Sequence, residues 1–406
     1  MKLKTLFVSY WRWLATVGFA VAVFCFWLFW LPFLMMAREQ AQLFLWNTDY
    51  LMERLALPGG LAQYLGEYVV QFFLRPVYGA LWYAVLLVAM QLLTLRLLKN
   101  QILSFVPSCI LWYLACNPNI PMTLIIAVLL ALVLINLLPR KQNARGLVAF
   151  AMIPIGYWLI GPAVVLLAVY ILFKRDENRG DRSMIKGYAL IMRPVPLILL
   201  AFCIVGSAWL TPYPLKQIAR GIDYYWEKEE MGSFDEMEYD MLMRLHRWDE
   251  MVGKYNRKGS ESLAVNNAVT VVMWQQQRIS QQEMTSRISL DQRALVNIPT
   301  AFLTSELCIP IGMTNVSQRA AFEAMEAIPN YNKSGRALQR LVETNLITGE
   351  PKVALKYIAI LEQTTFYRGW ARKMKALALQ PELLKDYPNY YQLKEMYDHD
   401  EDRVFY

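Results

Sequence analysis

Asp49 and Glu53 are the residues whose type and spacing best fit chemistry in this sequence. They lie four positions apart in a stretch with helical periodicity, so both carboxylates can face the same side of a helix. At the surface of a membrane, such carboxylates could act as a general base or hold a metal ion for an enzyme that uses a lipid-linked donor. The alternative is that they only solvate the polar face of a helix, and the loop contains no Asp-x-Asp or Asp-x-Glu motif that would favour catalysis.

Sequence signatures of the common catalytic and cofactor-binding sites are missing from the chain. It has no Walker loop, GxSxG, HExxH or GxGxxG in a suitable context. Its two histidines, His246 and His399, are too few for a histidine metal centre or a triad. Of five cysteines, only Cys308 falls in the polar half of the chain, which excludes a disulfide within that half and a CxxC zinc site. We therefore predict no cofactor and no metal.

A long stretch without acidic residues follows Asp49 and Glu53 and indicates the elements that would position them. No Asp or Glu occurs from Tyr68 to Arg175, where apolar residues dominate. Because an ionised carboxylate is costly in hydrocarbon, this composition indicates lipid as the solvent. One crossing needs roughly 20 residues, so the stretch must cross the membrane several times. The polar residues inside the spans are neutral, which argues against an ion-coupled or proton-coupled transporter: Gln91, Thr94, Thr123 and Asn136.

The hydropathy pattern predicts a membrane domain of about seven spans over residues 1–211. The spans are Leu14–Leu31, Val77–Leu98, Ile102–Ala115, Met122–Leu138, Leu147–Ile160, Ala163–Phe173 and Pro194–Leu210. The loop at residues 37–76 is predicted to form two amphipathic helices in the interface plane, Ala37–Leu57 and Leu61–Leu74, which Pro58-Gly59-Gly60 separates.

The charge distribution predicts the orientation of these spans. Residues 1–211 carry 17 Lys and Arg against 7 Asp and Glu, so the basic excess belongs to the membrane half and does not indicate nucleic-acid binding. The basic clusters fall on one side only if Gly161-Pro162 is a turn; the alternative is one kinked crossing from Leu147 to Phe173. The clusters include Lys2, Lys4 and Arg12; Arg96 and Lys99; Arg140, Lys141 and Arg145; and Lys174, Arg175, Arg179, Arg182 and Lys186.

With that turn, the positive-inside rule places the N-terminus in the cytoplasm and the C-terminal half outside, in the periplasm. Aromatic residues support the same orientation, because they gather toward the opposite face as an interfacial belt. These are Trp27, Trp30, Trp82, Tyr83, Trp112, Tyr113, Tyr157, Trp158, Trp209 and Tyr213.

Residues 212–406 have the composition of a soluble, helical domain that is expected to fold by itself. Within it, Leu338, Leu341, Gly349, Ala354 and Ile358 match the spacing of a tetratricopeptide unit, with an apolar helix, a tight turn and a small residue where the second helix crosses. The alternative is an irregular helical bundle. The predicted fold class is therefore all-α, a membrane helical bundle followed by a TPR-like helical-repeat domain.

Two resemblances accompany these patterns. Seven spans with interfacial helices after the first resemble the core module of the GT-C superfamily of lipid-linked glycosyltransferases, which implies an enzyme with Asp49 and Glu53 as candidates. Pro58-Gly59-Gly60-Leu61-Ala62, Gln71-Phe72-Phe73 and Arg247-Trp248-Asp249 resemble an uncharacterised family of Gram-negative polytopic proteins with a helical-repeat tail.

The leading prediction is an inner-membrane scaffold of a bacterial envelope. Membrane lipid surrounds its spans, and its periplasmic helical-repeat domain binds a protein or peptide partner, because stacked helix pairs form concave recognition surfaces. The binding residues are not predicted. The alternative is a GT-C-like glycosyltransferase at the periplasmic face, and a transporter ranks third.

Overall fold

The computed structural model describes residues 2–138, 142–173, 194–222, 224, 231–291, 295–329 and 332–399. Their secondary structure is 21 α-helices with short 3-10 helices and no β-strand within these ranges, which confirms the all-helical prediction. The chain divides into two units: unit 1 comprises Met1–Leu31 and Thr48–Trp226, and unit 2 comprises Pro32–Asn47 and Glu227–Tyr406. This division differs from a single boundary after residue 211, because part of the first loop belongs to unit 2.

Apolar helices make up most of unit 1. In chain order the helices of the first half are α1 (Lys2–Phe29), α2 (Pro32–Gln40), α3 (Thr48–Leu55), α4 (Gly60–Val70), α5 (Pro76–Leu98), α6 (Gln101–Ala115), α7 (Met122–Leu137), α8 (Gln142–Ile160), α9 (Val165–Phe173), α10 (Val195–Leu210) and α11 (Leu215–Arg220). All except α2 lie in unit 1. Within it α1 packs on α5, α5 on α6 and α7, α4 on α7 and α8, and α10 on α8 and α9.

Three helical stretches are long and apolar enough to cross a membrane: Trp11–Phe29, Pro76–Leu98 and Phe150–Phe173. Three shorter apolar helices are α6, α7 and α10. The predicted spans are helical over most of their length. At 1.5 Å per residue, α6 with 15 residues would reach only about 22 Å and α9 with 9 residues only about 14 Å. Length alone therefore supports a membrane protein with three candidate spans.

The chain turns sharply between α8 and α9. Gly161 has φ +67°, a left-handed conformation that suits glycine, and a 3-10 helix follows over Gly161–Val164. A Cβ added at Gly156 would lie 3.0 Å from Cγ2 of Val164. Residues eight apart in one straight helix are separated by about 12 Å, so the chain folds back here, as the charge pattern predicts. The basic residues 174–186, together with Arg140 and Lys141, lie outside the described residues.

Buried polar and aromatic side chains connect α1, α5 and α6. Gln91, which is fully buried, donates to Ser104 at 2.9 Å and lies 3.4 Å from the hydroxyl of Thr16. Trp27 and Tyr83 stack with ring centroids 3.9 Å apart, and neither is exposed. Each ring therefore fills space between α1 and α5, and their place in an interfacial belt stays a prediction.

Unit 2 consists of α2 and the helices of the second half. These are α12 (Phe234–Arg244), α13 (Trp248–Lys258), α14 (Leu263–Gln275), α15 (Gln281–Arg287), α16 (Ile298–Cys308), α17 (Thr314–Glu326), α18 (Gly335–Ile347), α19 (Pro351–Leu361), α20 (Arg368–Leu379) and α21 (Pro388–His399). Several begin at side-chain caps that satisfy free backbone N–H groups, such as the Ser233–Glu236 capping box of α12. Neighbours in sequence pack on one another, as α16 does on α17 and α18 on α19.

The helix pair predicted from the apolar spacing around residue 349 is present as α18 and α19. Leu338, Leu341, Ala354 and Ile358 are all buried, with at most 1% of each exposed. Gly349 has φ +82° and forms the turn between the two helices. The small side chain of Ala354 lies where the helices meet, as expected for a close crossing.

The predicted single helix over Ala37–Leu57 is wrong. The structure has α2 up to Gln40 and α3 from Thr48, while residues 41–47 are neither helix nor strand. Helical periodicity is only a local preference, and tertiary contacts of the intervening residues outweigh it. Those contacts are with the helices of unit 2.

Candidate functional site

Residues 37–47, termed here the loop segment, lie among the helices of unit 2 although they follow the first span in sequence. We call the surface that contacts them the docking groove. Its residues come from α12, α18 and the connection between α19 and α20: Asp240, Arg244, Arg336, Gln363, Thr365 and Tyr367. The groove therefore holds a segment whose partners lie between 200 and 328 positions away in the chain.

Glu39 is a charged residue of the loop segment and forms an ion pair with α12. Its carboxylate accepts from Nη1 of Arg244 at 2.9 Å and from the hydroxyl of Tyr367, and Arg244 also donates to that hydroxyl at 3.0 Å. Glu39 is 3% exposed, so the pair is shielded from water. Burial and the charge of Glu39 raise the pKa of Tyr367, and the same carboxylate outweighs burial to raise the pKa of Arg244. Tyr367 therefore stays neutral and Arg244 stays charged across the physiological range.

Gln40 places an amide between two buried opposite charges. Its Nε2 donates to Asp240 at 3.0 Å, and its Oε1 accepts from Nη1 of Arg336 at 2.7 Å. The same guanidinium nitrogen donates to Asp240 at 2.8 Å. Because an amide can donate and accept at once, glutamine satisfies both charged partners, which neither a carboxylate nor an ammonium group could do.

Apolar and backbone contacts complete the seat of the loop segment. Leu43 joins the buried cluster formed by α18, α19 and α20. The backbone N–H of Trp46 donates to the carbonyl of Gln363 at 2.8 Å, and its indole N–H donates to Thr365 at 2.7 Å. The amide of Asn47 donates to the side chain of Gln363. The segment is thus held by charge, amide, apolar and backbone contacts in sequence.

A chain of ion pairs extends from the docking groove along α18. Nε of Arg336 donates to Glu306 at 3.2 Å, Arg340 bonds Glu306 at 2.5 Å and Glu343 at 2.9 Å, and the hydroxyl of Tyr390 donates to Glu343 at 2.8 Å. Although burial opposes it, the two guanidinium groups lower the pKa of Glu306 to about 2. Burial raises the pKa of Glu343 against the opposing effect of Arg340. Two carboxylates that share one arginine therefore have opposite tendencies to ionise.

This chain of ion pairs borders a cavity of about 630 Å³. The cavity is lined by α18 and by the start of α21, and it has the size of a small-molecule or short-peptide site. Nη2 of Arg336 is buried at this wall and has no hydrogen-bond partner among the described residues. Asn389 and Tyr387, at the other wall, are exposed.

Asp49 and Glu53, the candidates from sequence, lie on α3 in unit 1 and are both exposed. Glu53 is 3.9 Å from Nη1 of Arg54. The buried acid nearby is instead Glu67, which accepts from Nε of Arg54 at 3.0 Å and from the hydroxyl of Tyr50. The carboxylates of Asp49 and Glu53 are thus exposed on α3, whereas Arg54 of the same helix forms a buried ion pair with Glu67 of α4.

The residues of the docking groove were not identified from sequence. One signal existed: Arg336, Arg340 and Glu343 repeat at helical spacing on a face of α18 that also carries apolar residues, which is unusual for a solvated face. No signal in the loop itself distinguished Glu39 from an interfacial charge. Within the described ranges, no group of three or more His, Cys, Asp or Glu side chains is arranged to hold a metal ion.

Comparison with known proteins gives one match. A family model described as a family of unknown function (DUF6057) matches residues 8–406. No curated protein and no solved structure matches the chain significantly.

Proposed function

The chain belongs to the DUF6057 family, and we propose that it is a membrane-anchored scaffold whose unit 2 binds a protein or peptide partner. One observation carries this proposal: unit 2 already holds an irregular peptide segment, residues 41–47, through side-chain and backbone bonds. A fold that seats one such segment in a defined register has the chemistry to recognise another. The cavity beside Arg336 offers a second concave surface on the same unit.

The membrane part of the proposal is a seven-span bundle in the inner membrane of a Gram-negative bacterium, surrounded by lipid. Three long apolar stretches and three shorter apolar helices support it. The loop segment and the tail belong to one unit, so they must share one side of the membrane. The chain between residues 48 and 226 must then cross an even number of times. The turn at Gly161 supports this, because it divides the apolar stretch Phe150–Phe173 into α8 and α9 and so allows α5 to α10 to supply six crossings rather than five.

The recognition part of the proposal is a TPR-like tail in the periplasm. Antiparallel pairs such as α18 and α19, with a small residue at the crossing, support the repeat assignment. The excess of basic residues on the proposed cytoplasmic side supports the periplasmic placement of unit 2.

A photo-crosslinking residue at Asn389 tests the proposed function in the full chain in native membranes. Asn389 is exposed beside the cavity, and Lys373, exposed on α20 and away from the lining, is the matched control position. We expect one discrete adduct with a single envelope protein from Asn389 and none from Lys373, identified by mass spectrometry. Adducts with lipid alone, or the same spread of proteins from both positions, would contradict a partner site on this unit.

Cysteine labelling tests the side of the membrane. Thr48 adjoins the loop segment and Lys373 lies in the tail, and both are exposed. In a chain whose native cysteines are replaced by serine, we expect Thr48→Cys and Lys373→Cys both to react with an impermeant maleimide added outside spheroplasts. Labelling of only one of them would contradict a shared side, and labelling of neither would reverse the orientation.

The alternative function is a GT-C-like glycosyltransferase that uses Asp49 or Glu53. It is favoured by their exposure on α3, since a general base must reach its substrate. If Asp49 is that base, Asp49→Asn is expected to lower transfer to an envelope glycan at least 100-fold at unchanged protein abundance, whereas Thr48→Ala, the neighbouring control, should keep activity. A wild-type glycan profile in the Asp49→Asn strain would remove Asp49 from the catalytic candidates.

A further inference from the structure

We propose that the docking groove is an exchangeable peptide site, which the chain fills with its own loop segment until a partner peptide of the same chemistry replaces it. This inference rests on the proposed function and names the partner's binding motif. The motif is an acidic residue, a glutamine directly after it, a leucine four positions after the acid and a tryptophan seven positions after it, as in Glu39, Gln40, Leu43 and Trp46.

The groove and its occupant are related as receptor and ligand. The groove is built from residues 240–367, and the occupant lies in the stretch Pro32–Asn47, which unit 1 precedes and follows in the chain. The four motif positions have separate anchors: Arg244 and Tyr367 bind the acid, and Asp240 and Arg336 bind the amide. The leucine joins an apolar cluster, and the tryptophan donates to Thr365. Recognition by separate anchors of this kind transfers to any peptide that presents the anchors at the same spacing.

The groove also needs an occupant. With the acid absent, Arg244 would lose its ion pair and keep the hydrogen bond to the hydroxyl of Tyr367, and breaking a buried ion pair by removing one partner is strongly unfavourable. Release of the loop segment into water is therefore disfavoured. Replacement by another peptide that supplies the same carboxylate avoids that penalty, so exchange is the favourable route.

Gln42 makes the loop segment a replaceable ligand. It is 1% exposed, and neither its Oε1 nor its Nε2 has a hydrogen-bond partner among the described residues. Burying unsatisfied amide atoms weakens binding. A partner with an apolar residue at this position would avoid the penalty and bind the groove more tightly than the chain's own segment.

Tethering opposes this exchange. A segment joined to its own groove has a high effective concentration, so a free peptide competes poorly unless it binds better or the segment is weakened. A partner peptide must therefore bind the groove more tightly than the chain's own segment does in order to replace it.

The experiment measures binding of a fluorescein-labelled synthetic peptide of residues 36–48 to the purified full chain in nanodiscs by fluorescence anisotropy. The loop segment of the protein is weakened by Leu43→Ala, which removes one apolar anchor and no charge. Two altered peptides are compared with the native-sequence peptide, one carrying Gln42→Leu and one carrying Glu39→Arg.

We expect Leu43→Ala protein to bind the native-sequence peptide at least tenfold more tightly than wild-type protein does. The Gln42→Leu peptide should bind at least fivefold more tightly than the native-sequence peptide, and the Glu39→Arg peptide at least tenfold more weakly. If Leu43→Ala protein does not fold, as judged by its helical circular dichroism, the ranking of the three peptides on wild-type protein gives the same test.

Three results would overturn the proposal. The first is equal affinity for all three peptides, and the second is the absence of saturable binding. The third is self-association of the wild-type chain that the Gln42→Leu peptide does not reverse. The last result would make a second copy the occupant. If the peptides do not bind but Asn389 still crosslinks to one partner, only this inference is wrong. If no partner crosslinks at all, the proposed function is wrong.

Discussion

Residues 227–406 expressed without the loop segment are expected to remain largely unfolded, whereas the same residues joined to residues 32–47 by a flexible Gly/Ser linker should fold. Without the segment, Arg244 loses its carboxylate, Asp240 and Arg336 lose the amide between them, and the cluster around Leu43 opens to water. An uncompensated buried charge costs about 3–5 kcal/mol. Domains of this size have a total stability of about 5–15 kcal/mol, so the added loss of apolar burial leaves little.

Urea unfolding followed by far-ultraviolet circular dichroism measures the difference. The matched control is the joined chain with Glu39→Arg and Leu43→Asp, which keeps the length and the linker but removes two anchors; it should behave as the chain without the segment does. A cooperative transition of residues 227–406 alone, with the same midpoint as the joined chain, would contradict the structural role of the segment. The expectation that residues 212–406 fold by themselves depends on this result.

Sequence periodicity was a good guide to the helices of the tail. The predicted pair around Gly349 is present, and its apolar residues are buried as expected. Here each helix packs on its neighbour in sequence, as α18 does on α19, so local spacing carries the information. The turn at Gly161 was also predictable, because glycine and proline together interrupt an apolar run.

The docking groove was not predictable for a physical reason. Glu39 and Arg244 are 205 positions apart, and nothing in the spacing of either one indicates the other. Residues 37–57 have helical periodicity. However, the hydrogen bond of Trp46 and the apolar contacts of Leu43 with the C-terminal helices of unit 2 hold residues 41–47 in an irregular path. Contacts between distant segments outweigh the local preference for a helix where they contribute more stability than one additional helical turn would. The same reasoning explains why the sequence favours Asp49 and Glu53 as candidates. They lie close together in the chain, whereas the residues that meet in the groove lie far apart in it.

Arg336→Met is expected to destabilise unit 2 by about 3–5 kcal/mol, the largest effect of any single substitution proposed here. Arg336 is 5% exposed and bonds Gln40, Asp240 and Glu306, so its loss leaves the buried carboxylate of Asp240 without its ion-pair partner. Methionine is close to arginine in volume but ends short of the guanidinium, which lies 4.6 Å from the ring of Phe302. The loss therefore reports mainly the removed charge with its hydrogen bonds rather than a change of volume.

Arg278→Met is the matched control, because Arg278 pairs with Asp249 at 2.6 Å where both side chains are exposed, at 41% and 82%. Exposed pairs of this kind contribute at most about 1 kcal/mol. In the joined chain of residues 32–47 and 227–406, the urea midpoint should fall sharply for Arg336→Met and barely for Arg278→Met. Asp240→Asn added to Arg336→Met should recover part of the loss, because a buried amide costs less than a buried unpaired carboxylate. Equal midpoints for the two single variants would mean that the ion pairs along α18 do not hold the loop segment in place.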